Sequence, residues 1–253
     1  MLHFCQSTIQ AIQAFTHGDV SNMIGASLDA PASAPVFTWR PMRPEEAAQV
    51  HRLHLAALAH APQGMVRPDG IGHFERHAGA HGRVLCCHAD GELVAYGVLG
   101  LDSHAVDHLA ELLGAGAEGR ARMCVLDGAA SLPEWRGRRL HSAAIEERVA
   151  LGRELGRTLV AASVAPENIR SLRGLLLDGF SVRGYATLYG GLARLLVQRD
   201  LLRPAAQWRT RRRVEHGDHA GHRRALADGL QGFHCWQDEH ERWFVEYGLA
   251  LGT

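Results

Sequence analysis

Apolar and polar positions along the chain predict alternating strands and helices from Val36 onward. Val36-Phe-Thr-Trp-Arg40 reads as a short strand, and after Pro41 and Pro44 the stretch from Glu45 to Ala61 carries Ala, Leu and His at helical spacing. Arg83-Val-Leu-Cys-Cys-His88 and Glu92-Leu-Val-Ala-Tyr-Gly-Val-Leu99 are apolar runs joined by Ala-Asp-Gly, which predicts a hairpin. Residues 102–119 read as a polar, glycine-containing connection. Arg122 to Asp127 predicts the next strand. A loop at Pro133 then opens a helix to about Leu155, with an apolar stripe of Leu140, Ala144, Ile145, Val149, Leu151 and Leu155, closed by Gly156. Thr158 to Val164 is a continuous apolar strand, Glu167 to Leu177 a short helix closed by Gly179, and Ser181 to Val197 one or two strands broken at Gly190-Gly191. No internal repeat is visible.

The two ends differ from this pattern. Residues 1–35 read as a tail or linker, weakly amphipathic around Ile9, Ile12 and Phe15, then small and proline-containing from Gly25 to Pro35. Residues 203–253 read as an extension packing on the main domain of residues 36–202. It comprises an Arg-rich segment with Trp208 and Arg211-Arg-Arg213, a His-rich helix from Asp218 to Leu230, and a strand from Trp243 to Leu251. Strands alternating with helices after an initial hairpin indicate an α/β fold with a mixed sheet, followed by an α+β extension.

Charge narrows the classes of partner. The 27 basic residues, all Arg, balance 27 acidic ones, so the strongly basic face on which nucleic-acid affinity depends is not expected. Cys5, Cys86, Cys87, Cys124 and Cys235 have no C-x-x-C spacing, so neither a disulfide framework nor a zinc knuckle is indicated. The first residues lack a basic n-region and a long apolar core, which predicts neither signal peptide nor membrane span. A cytoplasmic protein is expected.

Chemistry concentrates at the loop before the long helix. A strand, a loop rich in backbone donors and a helix N-terminus together bind phosphate, because unpaired N–H groups and the helix dipole converge. Pro133-Glu-Trp-Arg-Gly-Arg-Arg-Leu-His141 occupies that junction and resembles the GNAT acyltransferase signature Q/R-x-x-G-x-G/A, with Arg139 and His141 where further glycines usually stand. A second family element lies downstream, where Asn168 precedes Gly179-Phe180 at the family spacing. The resemblance implies a GNAT fold, mixed parallel and antiparallel, flanked by helices. It further implies acetyl-CoA as acyl donor and an amine of a small molecule, amino-acid derivative or peptide as acceptor.

The same resemblance implies that the amides of Arg136, Gly137, Arg138, Arg139, Leu140, His141 and Ser142 hold the CoA pyrophosphate. Asn168 and Ser171 would meet the pantetheine, and the amide near Leu132 would face the thioester carbonyl. Arg139 could also reach a phosphate as a charged donor. Direct attack by an amine needs a proton acceptor, and Asp127 is the candidate, with a turn role as the alternative. The position where many family members carry a leaving-group Tyr is Leu175; Tyr185 and Tyr189 are the nearby substitutes.

Other chemistry-bearing residues have plainer readings. Cys124 in an apolar strand reads as core rather than nucleophile. His73, His77 and His81, and separately His216, Asp218, His219 and His222, have spacings seen in metal ligands, yet Gly79 and Gly82 interrupt the first set and the second lies in a polar extension. No metal is expected. Arg209 to Arg213 reads as a solvated run rather than a nucleic-acid patch. Tyr189-Gly-Gly191 reads equally as a hairpin turn or as a wall of the acceptor pocket. A homodimer is compatible with this pattern.

Overall fold

The computed structural model describes residues 34–251. The amphipathic stretch around Ile9, Ile12 and Phe15, and Cys5, lie outside them. Ten strands form one sheet in the order β1-β2-β3-β4-β5-β7-β6-β9-β10-β8. The first half is built from β1 (Phe37–Pro41), α1 (Ala47–Ala59), α2 (Ile71–His77), β2 (Gly82–Ala89), β3 (Glu92–Gly100), α3 (His104–Leu112), α4 (Gly116–Arg122) and β4 (Met123–Ser131). There follow α5 (Leu140–Glu154), β5 (Leu159–Val164), α6 (Ile169–Leu177), β6 (Ser181–Leu188) and β7 (Leu192–Asp200). The β2–β3 hairpin turns at Asp90 and Gly91, at φ 49° and 86°, the double left-handed geometry that Asp-Gly favours.

The sheet has helices on both faces. Ile145 and Val149 of α5 and Leu172, Leu175 and Leu176 of α6 pack on one side against residues including Cys124, Leu126, Val160 and Ala162, and Leu140 of α5 packs against Cys87, Val94 and Ala95. On the other side, Val50 and Leu53 of α1 and Phe74 of α2 cover Val84, Cys86, Tyr96 and Val98, while Val106 and Leu109 of α3 cover Met123, Val125 and Ala161. Burial on both faces explains the continuous apolar run of β5.

Residues 102–119, expected to be a connection, contain α3 and most of α4. Ser103 caps α3 by accepting from the Val106 amide, and the cap with Val106, Leu109 and Ala110 buried is a complete helix signal. Glycines at 114, 116 and 119 obscured it. The predicted helix set also lacked α2, whose residues were read only for their histidines.

The extension is not a separate layer but a continuation of the sheet. It consists of β8 (Gln207–Glu215), α7 (His219–Ala227), β9 (Gln231–Gln237) and β10 (Trp243–Leu251). The Arg-rich segment is therefore an edge strand, with Arg212 paired to Asp228 and Arg213 to Glu246. Charged residues on an edge deter sheet extension by other chains.

An internal repeat, invisible in residue identities, emerges here. The unit β8-α7-β9-β10 has the same order and pairing as β5-α6-β6-β7: in each, the first strand pairs the last and the last pairs the third. Asn168 and Asp218 cap α6 and α7 through the amides of Ser171 and Gly221. Both helices end at Asp-Gly, with Gly179 at φ 81° and Gly229 at φ 74°, and Phe180 and Leu230 then enter the core. The units meet through β6 and β9 at Val182 and Gly232, which occupy equivalent positions in the two copies. Only helix caps, strand order and small apolar positions are shared, because those are what the unit needs to fold.

Candidate active site

Strands β4 and β5 run parallel and pair only at Met123–Leu159, Cys124–Val160 and Val125–Ala161. Beyond Val125 they separate. The cause is visible in β4: Asp127 and Gly128 both fall opposite Val98, between the Gly97–Ala129 and Leu99–Leu126 pairs, forming a bulge with Gly128 at φ 105°. A bulge increases local twist and bends the strand away. The result is a slot of ≈ 120 Å³ lined by Leu126, Gly128 and Ala129 of β4 and Ala162, Ser163 and Val164 of β5.

One mouth of the slot lies near the N-terminus of α5. Pro133–Trp135 form a 3-10 turn, and Gly137 and Arg139 then take left-handed backbone at φ 80° and 61°. Arg139 thus adopts, at a cost of about 1 kcal/mol, the conformation a glycine would take freely. No side chain caps α5, so its first amides stay unspent. Arg136, Gly137, Arg138 and Arg139 are exposed, with Arg138 over the Trp135 ring at 4.8 Å, and His141 lines the slot beside Gly174. Asn168 and Ser171 line it too, linked by the capping bond of 3.3 Å. Of the predicted cofactor residues His141, Asn168 and Ser171 line the slot, while Arg136 to Leu140 and Ser142 adjoin it in the chain without lining it. Leu132 does not face the slot through its amide, which is spent on the Val94 carbonyl of β3 at 2.9 Å.

A second cavity, of ≈ 900 Å³ between α2, α3 and the β6–β7 turn, shares Arg67, Asp69 and Tyr189 with the lining of the slot. Asp127, buried in the bulge rather than in a turn, faces this cavity. Its Oδ1 accepts from Arg67 Nη2 at 3.1 Å, and its Oδ2 lies 3.6 Å from His77 Nε2. The Nδ1 of His77 is 2.7 Å from the His73 carbonyl, which can only accept, so Nδ1 carries the ring proton. The His77 Nε2 lone pair is thereby turned toward a carboxylate, with no hydrogen-bond partner, as is His73 Nε2. Ligand atoms of His73, His77 and Asp127 lie within 4.8 Å of one another, a spacing that a cation would satisfy. Burial holds the His73 imidazole below its usual range. Of the first histidine set, His81 falls outside α2 and bonds to the Asp102 carbonyl.

Arg67 joins the two spaces. Its Nε contacts Asp69 Oδ1 at 2.6 Å, and its guanidinium lies 4.7 Å from the Tyr189 ring centroid. Tyr189, at φ 51°, heads the Tyr189-Gly190-Gly191 turn, which is both a hairpin turn and a cavity wall. Its hydroxyl is 3.0 Å from Ser163 Oγ. Tyr185 is directed elsewhere, to His219 Nδ1 at 2.9 Å. Arg67, Arg148 and Arg194 were not found as site residues from sequence; each is one of many Arg residues without a motif, and only the fold brings it to the slot, whereas His77 was singled out only as a member of a histidine set weighed for metal.

Two other sequence expectations meet their structural settings. Cys124 is fully buried, and burial pushes its thiol up to about 12, so it is core. In the second histidine set, Asp218 caps α7 and His222 is held between the Tyr247 hydroxyl and the His216 carbonyl, both at 2.9 Å.

Solved structures share this architecture. Over 65% of this chain and 94% of its own, yncA from Salmonella typhimurium, a candidate acetyltransferase with its cofactor acetyl-CoA, matches with a TM-score of 0.50 at 16% identity. A candidate phosphinothricin N-acetyltransferase matches over 66% of this chain and 99% of its own, with a TM-score of 0.51 at 15% identity. An acetyltransferase of the GNAT family from Streptococcus pneumoniae matches over 66% and 99%, with a TM-score of 0.50 at 13% identity. The fold is that of the GNAT N-acyltransferases. No protein-family model and no curated protein matches the sequence.

Proposed function

We propose that the protein is an acyl-CoA N-acyltransferase that moves an acetyl group from acetyl-CoA to a primary amine of a small molecule, amino-acid derivative or peptide. The observation that carries this reading is the slot opened by the Asp127-Gly128 bulge, which adjoins an uncapped helix N-terminus and shares lining residues with a cavity containing a buried carboxylate. The amides from Arg136 to Ser142 would take the pyrophosphate, and the slot the pantetheine with Asn168 and Ser171 beside it.

In the reaction the amine nitrogen attacks the thioester carbonyl, the C–N bond forms, the C–S bond breaks and CoA leaves as thiolate. The amine proton would pass to Asp127, with the unpartnered Nε2 of His77 lying 3.6 Å from its Oδ2 as a second acceptor. Among the described residues no helix is long and apolar enough to cross a membrane, and the four cysteines are buried free thiols, in keeping with a cytoplasmic enzyme.

The test is release of free thiol from acetyl-CoA across a panel of amines, with calorimetric CoA binding alongside. Turnover with at least one amine, lowered about 10²–10⁴-fold in Asp127→Asn with CoA affinity retained, is the expected result. Binding of CoA without thiol release from any amine would reduce the protein to a CoA-responsive module. Preference for a longer acyl-CoA in donor competition would overturn the choice of acetyl.

A further inference from the structure

We propose that Arg148 is a catalytic residue whose guanidinium stabilises the CoA thiolate as it leaves. This rests on the acyl-CoA reading of the slot. Arg148 projects from α5 and is 2% exposed, and it lines the slot at the bulge. Its protein partners are all neutral: Nε donates to the Ala144 carbonyl at 2.6 Å, and Nη1 to the carbonyls of Val98 at 3.1 Å and Gly128 at 3.0 Å. Among the described residues Nη2 makes no hydrogen bond and no carboxylate pairs with this side chain. Asp127, in the adjoining bulge, is already engaged by Arg67 and His77.

A buried cation without a counter-ion is unfavourable; among the described residues Arg194, buried and held by the carbonyls of Ala193 and Gly64, shares this condition, whereas the buried glutamates are paired. Glu46 is paired with Arg40 and Arg43, and Glu246 with Arg213 and His234. The fold nevertheless makes room for Arg148. Gly97 on β3 lies against it so closely that a Cβ there would come within 2.8 Å of Nε and 2.9 Å of Cδ. The bulge that opens the slot also presents the Gly128 carbonyl that holds the guanidinium. Burial pushes Arg148 down to about 10, which still leaves it protonated at neutral pH.

What the site lacks is an anion, and aminolysis of a thioester generates one in the slot. When the C–S bond breaks, its electron pair stays on sulfur, and a fixed cation in a water-poor cleft is placed to receive that charge. Leu175, at the same slot, offers no proton. The other charged and titratable groups lining it are differently engaged. Arg67 is paired with Asp69 and Asp127, Arg194 is tied to the carbonyls of Ala193 and Gly64 beside Tyr189, Tyr96 is bonded to His54, and His141 lies at the α5 end.

CoA itself is the probe, so the acceptor need not be known. The ionisation of its thiol is followed by ultraviolet thiolate absorbance, free and bound to the wild-type protein, Arg148→Gln and Arg148→Lys. An opposite charge in contact lowers a pKa by about 1–3 units, so bound CoA should carry at least about tenfold more thiolate than free CoA at a pH below both pKa values. The Gln variant should abolish that excess and the Lys variant retain part of it. Gly97→Ala, which keeps the charge but displaces the guanidinium, should also reduce it and covers a Gln variant that does not fold. Bound CoA titrating like free CoA, or an excess unaffected by Arg148→Gln, would overturn the assignment. Failure of the wild-type protein to bind CoA would instead defeat the acyltransferase reading.

Discussion

Replacing Gly232 with alanine tests how the repeated unit is joined to the rest of the sheet. A Cβ at this position would meet Val182 Cγ2 at 2.9 Å, Val182 Cβ at 3.0 Å and Val245 Cγ1 at 3.0 Å, where ordinary contacts begin near 3.4 Å. All three neighbours are on sheet strands, and Val182 and Val245 are fully buried, so the backbones of β6 and β9 must move apart by a few tenths of an ångström. The strands pair only at Val182 and Gly232, although Ser181 and Arg183 also donate to Gln231 and Tyr185 meets His219 across the joint. Overpacking of this kind costs about 1–3 kcal/mol, offset by about 0.4–1 kcal/mol from the lost freedom of glycine in the unfolded chain. With about 2–4 °C per kcal/mol in a domain of this size, a net loss of about 1–2 kcal/mol lowers Tm by about 2–8 °C. Thermal unfolding followed by circular dichroism measures it, with Gly217→Ala, whose Cβ meets nothing within 4 Å, as control. An unchanged or raised Tm in Gly232→Ala would show that the joint is not close-packed.

Three further outcomes follow from single residues. His54 Nε2 accepts from the Asp69 amide at 3.0 Å, so protonation would set two donors face to face, and burial also holds its pKa below the usual 6.5. The unfolded chain therefore takes up this proton first: the contribution to stability is complete above pH 6.5 and is lost as pH falls toward the folded value, and His54→Gln should flatten urea stability measured between about pH 5 and 8. Asn168→Ala and Asp218→Ala should each cost about 1 kcal/mol in denaturation through loss of a helix cap, but only Asn168→Ala should weaken CoA binding in calorimetry, since only Asn168 lines the slot. Arg139→Gly should raise stability by about 0.5 kcal/mol by relieving a left-handed backbone. The same variant should bind CoA more weakly and with a shallower dependence on salt if Arg139 reaches a phosphate.

Local patterns determined much of this fold before any coordinates. The hairpin at Asp90-Gly91, the helix of Leu140–Glu154 and the cap-and-glycine frame from Asn168 to Gly179 are short-range events, in which residues a few positions apart decide the backbone. The junction from Pro133 to His141, proposed to take the CoA pyrophosphate, was legible for the same reason, since strand, loop and helix N-terminus are consecutive. What required the tertiary structure was contact across the sheet. The β4 bulge depends on register against β3, and it alone turns Asp127 from a loop residue into a buried carboxylate facing His77. Arg67 and Arg148 reach the slot from a loop and from the second half of α5. The repeat of β5-α6-β6-β7 in β8-α7-β9-β10 likewise emerges from pairing order, with little beyond the helix caps and Asp-Gly ends to mark it in sequence, because strand pairing constrains backbone geometry far more tightly than it constrains side-chain identity.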